Sequence, residues 1–122
     1  MMDTIHIVTS TSVQARRNTL SFLGSGLFVP TSVKINYNLT KGLPPVHMID
    51  SYPLIIKGTL CNISTAIAVY HLSAGFNSPG SRDLLEILRF MNFKICDDVI
   101  LSDRFVKRNK ISLSILKDGT IL

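Results

Sequence analysis

The side chains able to do acid–base, nucleophilic or metal chemistry are few and far apart in this sequence. Three histidines, His6, His47 and His71, stand alone, without HExxH spacing and without a carboxylate pair beside them. Each reads as a surface or partly packed residue. Cys61 and Cys96 lack the CxxC spacing of a redox or zinc site and are expected as buried thiols. Asp97 and Asp98 adjoin in a segment that reads as strand, where neighbours point to opposite faces and cannot work as an acid/base couple. Gly24-Ser25-Gly26 lacks the GxSxG frame of a nucleophile turn, and Lys41-Gly42 stands in no Walker pattern; turn geometry accounts for the glycines at 24 and 26. With no catalytic signature, no metal-ligand set and no cofactor motif, the chain reads as a non-enzyme.

Charge is the chemistry the chain has in excess. Thirteen Lys and Arg against eight Asp and Glu give a net charge of +5 and a pI near 9.5, which favours anionic partners such as RNA or an acidic membrane leaflet. Arg16 and Arg17 precede an apolar run, and Arg104, Lys107, Arg108 and Lys110 cluster next to Asp103. These six are the candidate contacts for anionic lipid or RNA, acting on phosphates without base-specific readout and weakening with salt; a solvated loop is the alternative for the cluster at 104–110. At 7% of the chain, aromatic residues are too few to line an RNA-stacking platform.

Apolar residues make up 46% and charged residues 17%, with a mean hydropathy of +0.32, so part of the apolar excess is expected to face a partner, a second copy first of all. The segment 26–41 concentrates that excess in Leu27, Phe28, Val29, Val33 and Tyr37. These are the candidate self-association residues, with an ordinary core strand as the competing reading.

The elements that must position these groups follow from periodicity. Residues 4–9 and 32–38 alternate apolar with polar and read as strands, the second half-buried through Val33, Ile35 and Tyr37. Residues 14–23 fit helix or strand, ending at the Gly24-Ser25-Gly26 turn, and residues 40–50 read as loop around Pro44-Pro45. Residues 52–63 and 65–72 form a hairpin broken around 62–64. Leu84, Ile87, Leu88 and Met91 fall at i, i+3, i+4 and i+7 and predict an amphipathic helix over about 79–92, facing the core. Ser78 with Pro79 at the first helical position, or Ser81, caps it, and Asp83 and Glu86 lie near its positive end.

Residues 94–101 and 111–116 return to strand character. The fold class is α+β: one globular domain of 122 residues, a twisted, mostly antiparallel sheet packed with one amphipathic helix. The uncharged stretch 58–81 is too interrupted by Asn, Ser, His and Pro to span a membrane, and the N-terminus lacks the pattern of a signal peptide, so an intracellular protein is expected. The acceptor patterns at Asn38 and Asn62 are then chance.

Four short segments, 17–25 (RNTLSFLGS), 41–45 (KGLPP), 57–59 (KGT) and 76–93 (FNSPGSRDLLEILRFMNF), occur in one order and spacing. In that order the chain resembles the C-terminal globular part of the matrix protein of vesicular-stomatitis-type rhabdoviruses. The resemblance runs over about residues 3–103 and implies a non-enzymatic viral protein for virion assembly and budding. Such a protein bridges the viral ribonucleoprotein, or nucleocapsid, to the anionic inner membrane leaflet. It self-associates, meets host proteins, and resides in the virion and the host cytoplasm, peripheral on the inner face of the host membrane.

Two departures limit what carries over. Relatives begin with a long lysine-rich arm bearing a PPxY budding motif and a segment that engages host mRNA export, whereas Pro44-Pro45-Val46-His47 is not PPxY and this chain is expected to start at or inside the globular domain. The connection between Pro30 and Pro44 is also shorter than the family's self-association loop. A small viral accessory protein or a host-interaction α+β binding module is the alternative reading. A small enzyme would need a cleft with strongly perturbed titratable groups.

Overall fold

The computed structural model describes residues 3–37, 43–105 and 112–122. In chain order they form β1 (Asp3–Ile7), α1 (Ser12–Gly24), β2 (Phe28–Asn36), a 3₁₀ turn (Ile49–Ser51), β3 (Leu54–Leu60), β4 (Ile63–Val69), α2 (Pro79–Phe90), α3 (Asp98–Leu101) and β5 (Ser112–Leu116). The strands make one five-stranded sheet in the order β1-β4-β3-β2-β5. β4, β3, β2 and β5 pair antiparallel in that order, and β1 lies parallel to β4 on the edge. This is the α+β architecture expected, with a mixed sheet.

Strand alternation sends Val33, Ile35, Leu54, Ile56, Ile67, Val69, Leu113 and Ile115 to one face, where α1, α2 and α3 cover them in the main core. On α2, Leu84, Ile87 and Leu88 are fully buried and Met91 nearly so, while Arg82 and Glu86 point out. The Ser78 hydroxyl caps the helix by accepting from Ser81 N at 3.2 Å, with Pro79 at the first turn. Asn92, with φ +64, ends it: its N–H donates to the Arg89 carbonyl and the Phe93 N–H to the Leu88 carbonyl.

Residues 14–23, ambiguous in the sequence, are helix. α1 starts at Thr11, whose hydroxyl accepts from Gln14 N at 3.1 Å, and its buried stripe is Ala15, Thr19 and Leu23. That stripe is barely apolar, and the Thr19 hydroxyl is satisfied inside by donating to the Ala15 carbonyl at 2.7 Å.

Residues 94–101 are not a strand. Residues 94–97 are irregular and α3 follows, because Val99 and Ile100 are both buried and adjacent side chains of a strand cannot enter the same core. Asp97 and Asp98 therefore lie at a helix start and not across a strand. The hairpin turn is Cys61-Asn62, one step earlier than expected, with φ of +50 and +67, the left-handed pair that a tight two-residue hairpin requires. Cys61 and Cys96 are both exposed, contrary to the expectation of buried thiols.

On the other face, residues 43–53 form a strap. The Tyr70 hydroxyl donates to the Pro44 carbonyl at 2.7 Å, the Tyr52 hydroxyl to the Val46 carbonyl, and the Asn36 amide to the carbonyls of Asp50 and Tyr52 at 2.9 and 2.7 Å. Beneath it Tyr52, Ile55, Ala66 and Ala68 make a second small core. The alanines leave room for the two tyrosine rings, which meet edge to face at 5.0 Å between centroids.

Candidate anion-contacting surface

Basic side chains are the groups the sequence singles out, and the structure sorts them by whether a carboxylate already holds them. Arg16 leaves α1 toward α2 and donates to Asp83 at 2.9 Å, with Glu86 at 3.2 Å; the Ser12 hydroxyl donates to the other Asp83 oxygen at 2.7 Å. Asp83 is nearly buried, so this is a clip between two helices. Arg89 pairs with Asp97, and Arg104 with Asp98 at 2.7 Å. Arg82 donates to the Asn77 side chain at 2.8 Å.

Of the six basic residues nominated from sequence, Arg16 and Arg104 are thus ion-paired, and Arg17 is exposed on α1 with no ion pair among the described residues. Lys107, Arg108 and Lys110 lie outside the described residues.

Sequence reasoning passed over Lys34 and Lys57. Lys34 faces Ile55 across β2 and β3, and Lys57 faces Ser32, so the two lysines occupy diagonal positions on the face opposite the helices, roughly 7–8 Å apart. Neither is in an ion pair among the described residues. By register, Thr4, His6, Ser32, Asn36, Thr59, Ser64, Ser112 and Ser114 share that face, and no strand places a carboxylate on it. The strap at one end carries Asp50. Lys94 and Lys117, exposed and joined by a backbone hydrogen bond of 3.2 Å, add positive charge beside the end of β5. The signal for Lys34 was present in the 32–38 alternation, which turns Lys34 away from Val33 and Ile35. Finding Lys57 on the same face requires the strand register, which no local pattern supplies.

The self-association set divides. Phe28, Val33 and Tyr37 lie in the main core and offer no surface to a second copy, and the Tyr37 hydroxyl donates to the Val99 carbonyl. Leu27 and Val29 are exposed at 60% and 56%. Gly58 explains the tight packing there: a β-carbon at this position would sit 2.1 Å from the Val29 carbonyl oxygen.

Burial pushes the Tyr37 hydroxyl up to about 12, and burial followed by the neighbouring Tyr70 pushes Tyr52 upward. Both are satisfied structural groups. Among the described residues no three of His, Cys, Asp and Glu gather where they could hold a metal ion, and no helix is long and apolar enough to cross a membrane. Comparison with known proteins gives no matching family model, no matching curated protein and no matching solved structure.

Proposed function

We infer that this chain is a non-enzymatic, matrix-like structural and assembly protein that works by surface contact: a polyanion on its open sheet face, with a viral ribonucleoprotein and an anionic membrane as the surfaces it bridges. The observation that carries the reading is the pair Lys34 and Lys57, side by side on a hydroxyl-lined face with no carboxylate among the strand residues around them. An unpaired surface ammonium adds little to the fold, whereas two held on one sheet face can each neutralise a phosphate. The helix-side carboxylates are engaged in ion pairs: Asp83 and Glu86 join α1 to α2, Asp97 joins α2 to the start of α3, and Asp98 holds Arg104 in the turn after α3, which supports a structural role for them.

Of the segments that carry the resemblance, KGT puts Lys57 itself on this surface through β3, while RNTLSFLGS ends α1 and SPGSRDLLEILRF caps and forms α2 on the other side of the sheet. Self-association and host contacts belong to the same reading.

The test is co-sedimentation with single-stranded RNA and with phosphatidylserine vesicles over a salt series, comparing wild type with Lys34→Ser/Lys57→Ser. Binding should weaken steeply with salt, and the variant should lose about 1.4 from the log–log slope on RNA, about 0.7 for each phosphate released. A wild type that sediments with neither at low salt overturns the reading.

A further inference from the structure

Among the described residues, the three most exposed large apolar side chains after C-terminal Leu122 are Leu27, Val29 and Ile63, at 60%, 56% and 56%. They gather at one end of the sheet. Val29 pairs with Thr59, Ile63 pairs with Leu60, and Leu27 directly precedes Phe28, which pairs with Leu60, so all three surround the Cys61-Asn62 turn.

Alternation places Val29 on the open face, with Thr59 and Ser64, and Ile63 on the helix-side parity, in the row Phe28–Leu60–Ile63. This end of the sheet therefore carries an exposed aliphatic side chain on each face, Val29 from β2 on the open face and Ile63 from β4 on the other, and forms an aliphatic wedge around the β3–β4 turn. A protein partner docking on one side would cover one flank and leave the other wet. Hydrocarbon that surrounds the tip covers both.

The charge pattern points to the same occupant. Residues 18–33 and 58–65, which build this end, contain no Asp, Glu, Lys or Arg. Positive charge predominates behind them: Arg17 on α1, Lys57 on β3 and, beyond the end of β5, Lys117 with Lys94. At ~3.3 Å per residue, Lys57 stands about 13 Å behind Cys61, so its side chain can meet phosphates when the tip is sunk the ~5–10 Å typical of interfacial insertion. Two carboxylates lie on this side: Asp3, exposed at the start of the edge strand β1 opposite Thr65, and Asp118, which accepts from Thr120 N at 2.9 Å within its own turn.

We propose that the β3–β4 tip, with Leu27, Val29 and Ile63, inserts into the acyl boundary of an anionic bilayer while Lys57 and its basic neighbours hold the headgroups. The proposal rests on the membrane arm of the function above and adds where and how the bilayer is met. It separates two contributions: the aliphatic wedge supplies a salt-resistant component, and the lysines supply a salt-sensitive one.

Cys61, exposed at the tip, is the reporter. In Cys96→Ser, a nitrobenzoxadiazole label on Cys61 should shift to the blue on adding vesicles of phosphatidylserine in phosphatidylcholine. The same label on Ser51→Cys, in a background with Cys61→Ser and Cys96→Ser, should not, because Ser51 lies at the strap end of the sheet. Leu27→Ser/Val29→Ser/Ile63→Ser should lower vesicle partitioning about tenfold or more with unchanged circular dichroism, and the loss should persist at high salt. Lys57→Ser should lower it about fivefold at low salt and little at high salt.

A wild type that binds vesicles with an unshifted Cys61 label, and is matched by the triple variant, overturns the insertion while leaving the broader reading standing. Wild type that ignores vesicles but still binds RNA removes the membrane arm and this proposal with it. A triple variant that loses self-association but keeps vesicle binding makes the wedge a protein interface, and also overturns the proposal.

Discussion

On the helix side of the sheet Arg16, Arg89 and Arg104 each meet a carboxylate, whereas on the opposite face Lys34 and Lys57 meet none among the described residues. The two sides draw on the same pool of charged residues and use it differently. Between helices, where backbones are not hydrogen-bonded to one another, side-chain contacts such as the Arg16–Asp83 ion pair and the Ser12–Asp83 hydrogen bond fix the approach of one element to the next. The sheet needs no such help, since its ladder already sets the register. A lysine on its outer face is left without a carboxylate partner among the described residues. The +5 of the sequence thus has no address until pairing is subtracted from it.

The largest effect expected from this contrast is in stability. Leu88, fully buried beneath α2, should cost about 2–5 kcal/mol when changed to Ala, while Val29→Ser at the exposed tip should stay within about 0.5 kcal/mol. Urea unfolding of the two variants makes the comparison, and similar midpoints would break the distinction between core and free surface.

The helix clip comes next. Asp83→Ala leaves the Ser12 hydroxyl and part of the Arg16 guanidinium without their acceptor in a poorly solvated place, at a cost of about 1–3 kcal/mol. Glu86→Ala removes the solvent-exposed partner of the same arginine and should cost only about 0–1 kcal/mol, since water screens that pair. Equal losses for the two would show Arg16 to be a surface charge like Lys34.

How much of this was legible in the sequence follows the strength of local signals. α2 was readable to its cap, because Ser78-Pro79 and a wide apolar stripe agree. α1 was not, because Ala15 and Thr19 make a stripe too weakly apolar to show a period. The 94–101 segment looked like strand because its apolar residues are β-branched or aliphatic; only burial of both Val99 and Ile100 decides for a turn of helix. The apolar excess at 26–41 was visible, but which half faces out depends on where β2 enters the sheet. The bulge between Pro30 and Ser32 controls that. Arg104 looked free beside Asp103, yet its partner is Asp98, brought close by α3.

The smallest effect concerns two tyrosines, one on each side of the sheet. Tyr37 seals β2 to α3 through the Val99 carbonyl, and Tyr52 ties the strap through the Val46 carbonyl. Burial holds both neutral in the folded chain, with Tyr37 raised to about 12. The unfolded chain ionises first, near pH 10, so the neutral hydroxyl's contribution is complete below about pH 10 and is lost as pH rises toward 12, on the order of 2 kcal/mol for Tyr37. Tyr37→Phe should lower neutral-pH stability by about 1 kcal/mol and flatten the alkaline decline of global unfolding. Tyr52→Phe should act locally: strap amides should exchange faster, because the strap is held by side-chain hydrogen bonds over a small second core and can open without the main one. If Tyr52→Phe instead flattens the global alkaline curve as strongly as Tyr37→Phe, the strap and the helix layer unfold as one unit, and the open face is mechanically continuous with the core.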